Sequence, residues 1–306
     1  MEIITAGGKA GDRVIALGTF DGVHLGHQEL IRRGRALAAE TGAALRICVL
    51  DRHPLEILRP ELAPARLQTP EEQAARLAEL GVDELRVLPF TRETAEMTPE
   101  AFLRMLREEC DIRAAVVGWN YTFGRGGRGD ADALCRDGEV HGYRVTVVPP
   151  VRTPEGEVIS SSAIRDRLTR GDLEAANAML GCPYRISGVV VNGKHEGTRI
   201  GFPTANIETD ARKLLPAFGV YACELESEGE KWRAVVNIGL QPTLPSGKVT
   251  VEAHALDARP NLYGKPAAVT LWKYLRGERR FATVEELVEQ IDRDRKSAKN
   301  LPRTWN

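Results

Sequence analysis

The sequence predicts an N-terminal α/β domain with a Rossmann-like parallel sheet, followed by a C-terminal antiparallel β-barrel with a terminal helix. The chain has 306 residues, more than the roughly 100–200 of a typical domain. Through about residue 180, short apolar runs alternate with helical patterns, which is typical of βαβ units. After Pro183 the β-rich runs are separated by Gly, Pro and Asn turns, as in antiparallel barrels.

The first half contains five predicted strands and three predicted helices. The strands are Val14–Phe20, Leu45–Leu50, Glu84–Pro89, Ala114–Gly118 and Tyr143–Val148. The helices are Gln28–Glu40, Glu71–Leu80 and Pro99–Glu109, the last with Thr98 as N-cap and proline at its first position. Ligands bind at the carboxyl ends of the strands in such sheets, so the loops after them are the candidate sites.

Two short helices end the first half, and barrel strands follow after Pro183. The helices are Ser161–Arg170 and Leu173–Leu180. The strand runs are YRISGVVV, GVYACELE, WRAVVNIG, VTVEAHAL and AAVTLWKYL, and an amphipathic helix covers Val284–Lys299. We therefore predict two domains, residues 1–182 and 183–306.

Composition limits the partners and the compartment. Lys and Arg number 42 against 43 Asp and Glu, a formal charge of −1, so no global field attracts nucleic acid or a membrane. The five cysteines are scattered without a C-x-x-C pair, which favours a reducing compartment. No secretory signal or membrane span is recognisable, so we expect a cytoplasmic protein, and no pattern indicates an oligomeric state.

The segment ALGTFDGVHLGH predicts a nucleotide triphosphate site. It leaves an apolar strand, turns at Asp21-Gly22 and enters a helix with His24 and His27 three residues apart, on one face. The N-terminus of a helix favours phosphate, and glycine lets an anion approach the backbone. The loop residues expected to contact the nucleotide are Gly18, Phe20, Asp21 and Gly26. A metal site or surface histidines are the alternatives, and the lack of a third ligand nearby disfavours the metal.

The motif ISSSAIR offers a second anion site. Ser161 and Ser162 stand at a helix start beside unpaired N–H groups, and Arg165 adds a cation on the same face. An ordinary N-cap with a surface arginine is the alternative. Together with H-x-G-H, a phosphate clamp is favoured.

Asn120 lies in GWNYTFG, which follows a strand and leads into the loop RGGRGD. Gly124, Gly126 and Gly129 formally satisfy G-x-G-x-x-G. We reject a dinucleotide site because these glycines follow a loop and not a strand. A basic loop over a phosphorylated substrate fits better.

The barrel half carries a glycine-rich segment ending in GFPTAN. Gly193, Gly197 and Gly201 permit backbone contact with phosphates. Thr204 and Asn206 supply neutral oxygen ligands that suit Mg²⁺ beside nucleotide phosphates. A barrel hairpin rich in turn residues explains the segment equally well on this pattern alone.

Glu252 is the candidate base. Alternation in VTVEAHAL places it on one face with Thr250 and His254. A strand glutamate usually faces solvent without a role, but one beside a metal and a phosphate donor can deprotonate a hydroxyl.

The ordered motifs GTFDGVHLGH, VVGWNYTFG, ISSSAIR, GFPTAN, FGVYA, NIG-x-x-PT, VEAH and LYG resemble the bacterial bifunctional riboflavin kinase/FAD synthetases over nearly the whole chain. The resemblance implies that the barrel phosphorylates riboflavin with ATP to FMN. The N-terminal nucleotidyltransferase domain would then adenylylate FMN with a second ATP, giving FAD and pyrophosphate.

The resemblance also implies roles for single residues. In the barrel, Thr204 and Asn206 would hold Mg²⁺–ATP (Mn²⁺ is an alternative), Glu252 would act as base, and Arg276 would lie near the flavin. In the N-terminal domain, the ATP phosphates would be bound by His24 and His27. The leaving pyrophosphate would be bound there by Ser161, Ser162 and Arg165. Asn120 would help to position FMN or a metal.

Three segments depart from the family pattern: Val49–Pro54 in place of Thr-Phe-x-Pro-His-Pro, Thr198 where an arginine is usual, and Asp257–Gly264, which lacks a Phe and an Asp. Two other functions remain open. One is FAD synthesis alone with a flavin-binding, non-catalytic barrel, and the other is a non-catalytic flavin or nucleotide sensor. Retention of Glu252, Thr204, Asn206 and both histidines argues against each.

Overall fold

The computed structural model describes residues 1–5, 11–193, 201–240 and 249–301. The chain divides into two compact units. One comprises Met1–Ala65 with Gln73–Ser160, and the other comprises Arg66–Glu72 with Ser161–Asn306. The domain boundary at residues 182–183 stays a prediction.

The first unit is built on a parallel sheet. Its strands are β1 (Glu2–Ile4), β2 (Asp12–Leu17), β3 (Ala44–Leu50), β4 (Glu84–Leu88), β5 (Asp111–Gly118) and β8 (Arg144–Val148), and a small hairpin pairs β6 (Thr122–Phe123) with β7 (Gly129–Asp130). The six parallel strands lie in the order β1-β4-β3-β2-β5-β8. The helices in this half of the chain are α1 (Leu25–Thr41), α2 (Pro54–Leu58), α3 (Pro70–Glu79), α4 (Arg92–Ala95), α5 (Pro99–Glu109) and α6 (Ala131–His141).

Both faces of this sheet are covered, as the near-continuous apolar strands require. Val14 and Ala16 of β2 point to the face packed by α1 and by Leu77. Ile15 and Leu17, on the opposite face, pack with residues of α5 and α6. The strand ends at Leu17, before the predicted Phe20, because Phe20 has a left-handed backbone (φ 50°) that cannot continue a strand.

The second unit is a closed barrel with helices around it. Its strands are β9 (Tyr184–Val191), β10 (Ala205–Glu208), β11 (Gly219–Ser227), β12 (Glu230–Leu240), β13 (Val249–Ala255) and β14 (Pro266–Arg276), and its helices are α7 (Ser161–Thr169), α8 (Leu173–Leu180) and α9 (Val284–Lys299). The strands pair antiparallel in the order β10-β13-β12-β11-β14-β9. Alternate side chains fill the interior, among them Tyr221, Val236 and Ala253, all at most 1% exposed.

Buried polar side chains fasten segments to the barrel. The Asn177 amide of α8 donates to the carbonyl of Leu271 (3.1 Å) and accepts from the N–H of Tyr184 (2.8 Å). Glu72 accepts from Lys213 (2.5 Å) and from the hydroxyl of Ser187 (2.7 Å). These satisfied buried bonds join α8 and residues 66–72 to the barrel.

The predicted fold class is confirmed: a parallel α/β sheet, an antiparallel barrel and a terminal helix with the predicted bounds Val284–Lys299. Within the described residues, none of the helices combines the length and apolar character that a membrane crossing requires.

Candidate active sites

The loop between β2 and α1 forms the first candidate site, and its backbone is strained. Phe20 and Val23 have positive φ angles of 50° and 40°, and Gly22 has one of 85°. Positive φ is an outlier for a β-branched residue such as valine. Such strain persists only where the surroundings hold it, and it clusters at functional sites.

Two glutamine amides hold this loop. Gln73 Nε2 donates to the carbonyls of Thr19 and Phe20, both at 3.0 Å. Gln28 Nε2 donates to the carbonyl of Val23 at 2.9 Å. The strained turn therefore has a fixed shape. Sequence reasoning missed Gln73, since a residue over fifty positions from the loop gives no local signal.

The two predicted histidines stack at the start of α1. The helix begins at Leu25, so His24 is the N-cap, and its Nδ1 accepts from the backbone N–H of His27 (3.4 Å). The His24 and His27 rings are 3.7 Å apart between centroids and inclined by 22°, and Phe20 lies 4.9 Å from the His27 ring. Because His24 Nδ1 accepts, the neutral ring carries its proton on Nε2, where it is a donor.

Burial, and then the neighbouring His24 ring, lower the pKa of His27 well below its usual value. The Nδ1 atom of His27 is buried and has no hydrogen-bond partner among the described residues. A neutral imidazole pair beside unpaired helix N–H groups can donate several hydrogen bonds to phosphate oxygens.

Gly26 allows this packing. A Cβ at this position would lie 3.0 Å from Cε1 and 3.1 Å from Nδ1 of His24, and 3.7 Å from the carbonyl oxygen of Ile159. The start of the Ile159–Arg165 motif thus lies beside the H-x-G-H turn.

Asn120 follows the neighbouring strand. The sheet order puts β5 directly beside β2, and the chain crosses from one side of β2 to the other between β4 and β5. The carboxyl ends of these strands form the crevice in which open α/β sheets bind ligands. Asn120 lies in a turn closed by the Tyr121 N–H and the Gly118 carbonyl (3.0 Å), with Oδ1 3.3 Å from where a Gly118 Cβ would be. Residues 18–27 and Asn120 therefore follow neighbouring strands at the same edge of the sheet.

Ser161, Ser162 and Arg165 lie in the first two turns of α7. This helix belongs to the second compact unit. Their predicted contact with pyrophosphate stays a prediction.

The second candidate site opens from a cavity of about 350 Å³ in the barrel unit. Its walls include Gly193, Gly201, Thr204 and Asn206. The other lining residues come from the strands and from the 258–263 loop: Val190, Val191, Asn192, Pro203, Ala205, Leu225, Ala253, Ala255, Ala258, Arg259, Pro260, Asn261, Leu262 and Tyr263. A pocket of this size with both apolar and polar groups on its walls suits a small ligand such as a nucleotide. Gly197 lies outside the described residues.

Hydrogen-bond register places Glu252 beside Asn206. Glu252 of β13 is directly opposite Asn206 of β10 and, on its other side, opposite Asn237 of β12. Residues directly opposite in an antiparallel pair share a face, with Cβ atoms about 4.5–5.5 Å apart. The barrel therefore brings the predicted base next to a predicted metal-binding residue. Sequence reasoning missed Asn237, because only the β12–β13 register shows that it flanks Glu252.

Arg276 lies in register with Glu252 and Asn237 across the neighbouring barrel strands. Val220 lies opposite both Asn237 and Arg276. The Arg276 guanidinium is held by Asp294 of α9 (Nη2 to Oδ2, 2.9 Å) and by the Gly277 carbonyl (3.0 Å). Its predicted flavin contact stays a prediction.

We expect Gly193→Ala to lower FMN formation at least tenfold. A Cβ at Gly193 would lie 2.1 Å from Nδ2 of Asn206, so the asparagine must move off its position opposite Glu252. A 1 Å misplacement in such a site costs about 100-fold. Steady-state FMN production by chromatography measures the effect. Gly277→Ala is the control, since its Cβ meets only the Tyr274 hydroxyl at 3.4 Å, and a normal rate for Gly193→Ala would contradict the packing argument.

We expect the free energy of unfolding to fall as the pH drops from about 6.5 to 5. The pKa of His27 is lowered by burial in the folded state, as is that of His254, so the unfolded chain binds protons first. One histidine contributes a slope of at most about 1.4 kcal/mol per pH unit. Carboxylates with a lowered pKa affect the free energy of unfolding only at lower pH. Glu29 is an example, since its hydrogen bond to Arg32 lowers its pKa to about 2.

Urea unfolding at pH 7.5, 6.5 and 5.5 tests this. His27→Gln should have a shallower dependence on pH than the wild type. The exposed His141→Gln is the control and should keep the wild-type slope. Equal slopes for all three proteins would mean that His27 titrates normally.

Both halves of the chain match known family models. The FAD synthetase model matches residues 8–163, and the riboflavin kinase model matches residues 180–301. The bifunctional riboflavin kinase/FMN adenylyltransferase of Bacillus subtilis is 35% identical over 289 residues, covering 93% of this chain and 91% of the relative. That of Escherichia coli K12 is 37% identical over 291 residues, covering 94% and 92%.

A solved structure matches the whole chain. The crystal structure of a Streptococcus pneumoniae protein named as a macrolide-efflux protein aligns with a TM-score of 0.89 at 30% identity. The alignment covers 99% of this chain and 100% of that one, so the two share their complete fold.

Proposed function

This chain belongs to the family of bifunctional riboflavin kinase/FMN adenylyltransferases, and on that premise we propose which residues carry each reaction. The enzyme phosphorylates riboflavin with ATP to FMN and adenylylates FMN with ATP to FAD and pyrophosphate. The match of both family models supports two activities and not FAD synthesis alone. The observation that carries the residue assignment is the placement of Glu252 opposite Asn206, which lines the barrel cavity.

In the kinase reaction, Glu252 takes the proton of the riboflavin 5′-hydroxyl. The hydroxyl oxygen then forms a bond to the γ-phosphorus of ATP, and ADP leaves with the electron pair of the broken P–O bond. A neutral hydroxyl is a poor nucleophile, so a base adjacent to it accelerates this step. Asn206 and the backbone at Gly193 and Gly201 hold the nucleotide on the other side of the base.

A divalent cation accompanies ATP in this chemistry, and we propose Mg²⁺. Thr204 and Asn206 offer neutral oxygens on the cavity wall, and Glu252 lies next to Asn206. All are oxygen ligands of the kind that Mg²⁺ prefers, and Mn²⁺ accepts the same set. When bound, the cation neutralises charge on the ATP phosphates.

In the adenylyltransferase reaction, the FMN phosphate oxygen forms a bond to the α-phosphorus of ATP, and pyrophosphate leaves. This phosphate is already ionised near neutral pH, so the step requires no base. His24 and His27 donate hydrogen bonds to the ATP phosphates, and Asn120 positions FMN or the metal at the same crevice. The nucleotide is contacted by the loop residues Gly18, Phe20, Asp21 and Gly26. The pyrophosphate is bound by Ser161, Ser162 and Arg165.

Preorganisation supports the histidine assignment. The stacked rings, the N-cap bond and the glutamine-held loop fix the donors before ATP binds. Donors that need no rearrangement stabilise the charge of a phosphoryl transition state most effectively. The serine motif falls partly within the FAD synthetase match, which ends at residue 163.

We place the enzyme in the cytoplasm, without nucleic acid or membrane partners. All five cysteines are free thiols in the structure, as a reducing compartment favours. Its partners are the small molecules riboflavin, FMN and ATP.

The test is a time course of the purified protein with riboflavin, ATP and Mg²⁺, separated by chromatography. FMN should form first and FAD second. FAD formation from supplied FMN without any FMN formation from riboflavin would reduce the function to FAD synthesis alone. Binding of flavin with neither product would make the protein a sensor.

A further inference from the structure

One row of directly opposed residues crosses five strands of the barrel. It runs from Asn206 through Glu252, Asn237 and Val220 to Arg276. Their strand neighbours Tyr221, Val236 and Ala253 fill the interior, so this row lies on the outer face. The five side chains thus form a single line, in which Glu252 lies between Asn206 and Asn237.

The two ends of the row differ. Asn206 lines the cavity assigned to the nucleotide, so the donor phosphate reaches Glu252 from the β10 side. In-line transfer puts the acceptor on the far side of the phosphoryl group. On this arrangement the acceptor chain lies on the side of Glu252 away from Asn206, which is the side of Asn237.

Along that direction Asn237 is the polar side chain next to the base. Val220, the next residue, is buried in an apolar cluster with Ala298 of α9. The Arg276 guanidinium beyond it is bound to Asp294. Asn237 is itself partly exposed and one strand spacing, about 4.8 Å, from Glu252.

We propose that Asn237 binds a secondary hydroxyl of the riboflavin ribityl chain and so selects a polyol as the kinase acceptor. This inference rests on the proposed function of Glu252. A carboxamide both donates and accepts hydrogen bonds, as a hydroxyl does, and it adds no charge beside the base. Asn237 then fixes the chain so that the terminal hydroxyl meets the carboxylate.

The test compares two acceptors in two enzymes. The two acceptors are riboflavin and 7,8-dimethyl-10-(5-hydroxypentyl)isoalloxazine, which keeps the ring and the terminal hydroxyl and lacks the secondary hydroxyls. Each is phosphorylated by the wild type and by Asn237→Ala at saturating Mg²⁺–ATP. We expect Asn237→Ala to lower kcat/KM for riboflavin roughly 2- to 12-fold, the range for one neutral hydrogen bond. For the pentyl analogue it should change kcat/KM less than twofold.

Three readouts separate this role from others. The KM for ATP and the pH profile of Asn237→Ala should match the wild type, whereas Asn206→Ala should raise the KM for ATP and lower the rates with both acceptors equally. Binding of Mg²⁺–ADP, measured by calorimetry, shows whether the barrel of Asn237→Ala is folded. If that variant does not fold, Asn237→Ser is used in its place. An equal loss with both acceptors, or a shifted pH profile, overturns the proposal. A wild type that forms no FMN contradicts the proposed function itself.

Discussion

Glu252→Gln should abolish FMN formation and leave FAD formation from supplied FMN intact. Removing a general base costs about 10²- to 10⁴-fold, and glutamine keeps the shape of the side chain without accepting a proton. Glu252 lies between Asn206 and Asn237 on neighbouring strands, so the substitution changes the chemistry without removing packing. Initial rates of the two half-reactions, measured separately by chromatography, give the result.

The matched control is Glu224→Gln on β11. Glu224 is also a half-buried barrel glutamate, but it pairs with Lys231 at 2.9 Å, so its loss should leave both rates within twofold. A Glu252→Gln enzyme that still makes FMN at more than a tenth of the wild-type rate would show that another group takes the proton. Loss of both reactions in a folded protein would show that the sites are not separate.

His27→Ala should have the opposite effect: FMN accumulates and FAD formation falls about 10- to 150-fold. The range corresponds to loss of one hydrogen bond to a charged phosphate, about 1.5–3 kcal/mol. The substitution also removes the ring that stacks on His24 and contacts Phe20, which frees the His24 ring to turn. Time courses from riboflavin then stop at FMN.

His141→Ala serves as the comparison, because it removes an exposed imidazole from the same unit. It should convert riboflavin to FAD at the normal rate. If His27→Ala keeps a normal KM for ATP and a normal FAD rate, the histidine pair has only a capping role.

Local sequence patterns predicted helices, strands and the faces of strands, because these features depend on residues that are close in the chain. The apolar runs predicted the strands around the first crevice. Alternation in β13 separated the partly exposed Thr250 and Glu252 from the buried Val251 and Ala253, whereas His254 is buried as well. The spacing of His24 and His27 predicted that both imidazoles point the same way, whereas their stacking and the N-cap position of His24 are seen only in the structure. The terminal helix followed from its amphipathic period and the Thr283 N-cap.

Features that depend on long-range register could not be predicted. Asn237 flanks Glu252 only because β12 and β13 pair in one register, and Gln73 reaches the Thr19–Phe20 backbone from a distant helix. The short strand β10 was not predicted, because its four residues show no clear alternation of apolar and polar side chains. The positive φ of Val23 opposes the preference of valine, so only the surrounding contacts fix it.

The line of opposed residues across the barrel limits how this enzyme can change during evolution. Side chains alternate between faces along a strand, so inserting or deleting one residue within β13 would turn Glu252 toward the interior and bring an apolar neighbour outward. New acceptor preferences can therefore arise by exchanging single side chains, whereas a one-residue change in the length of β13 would break this line.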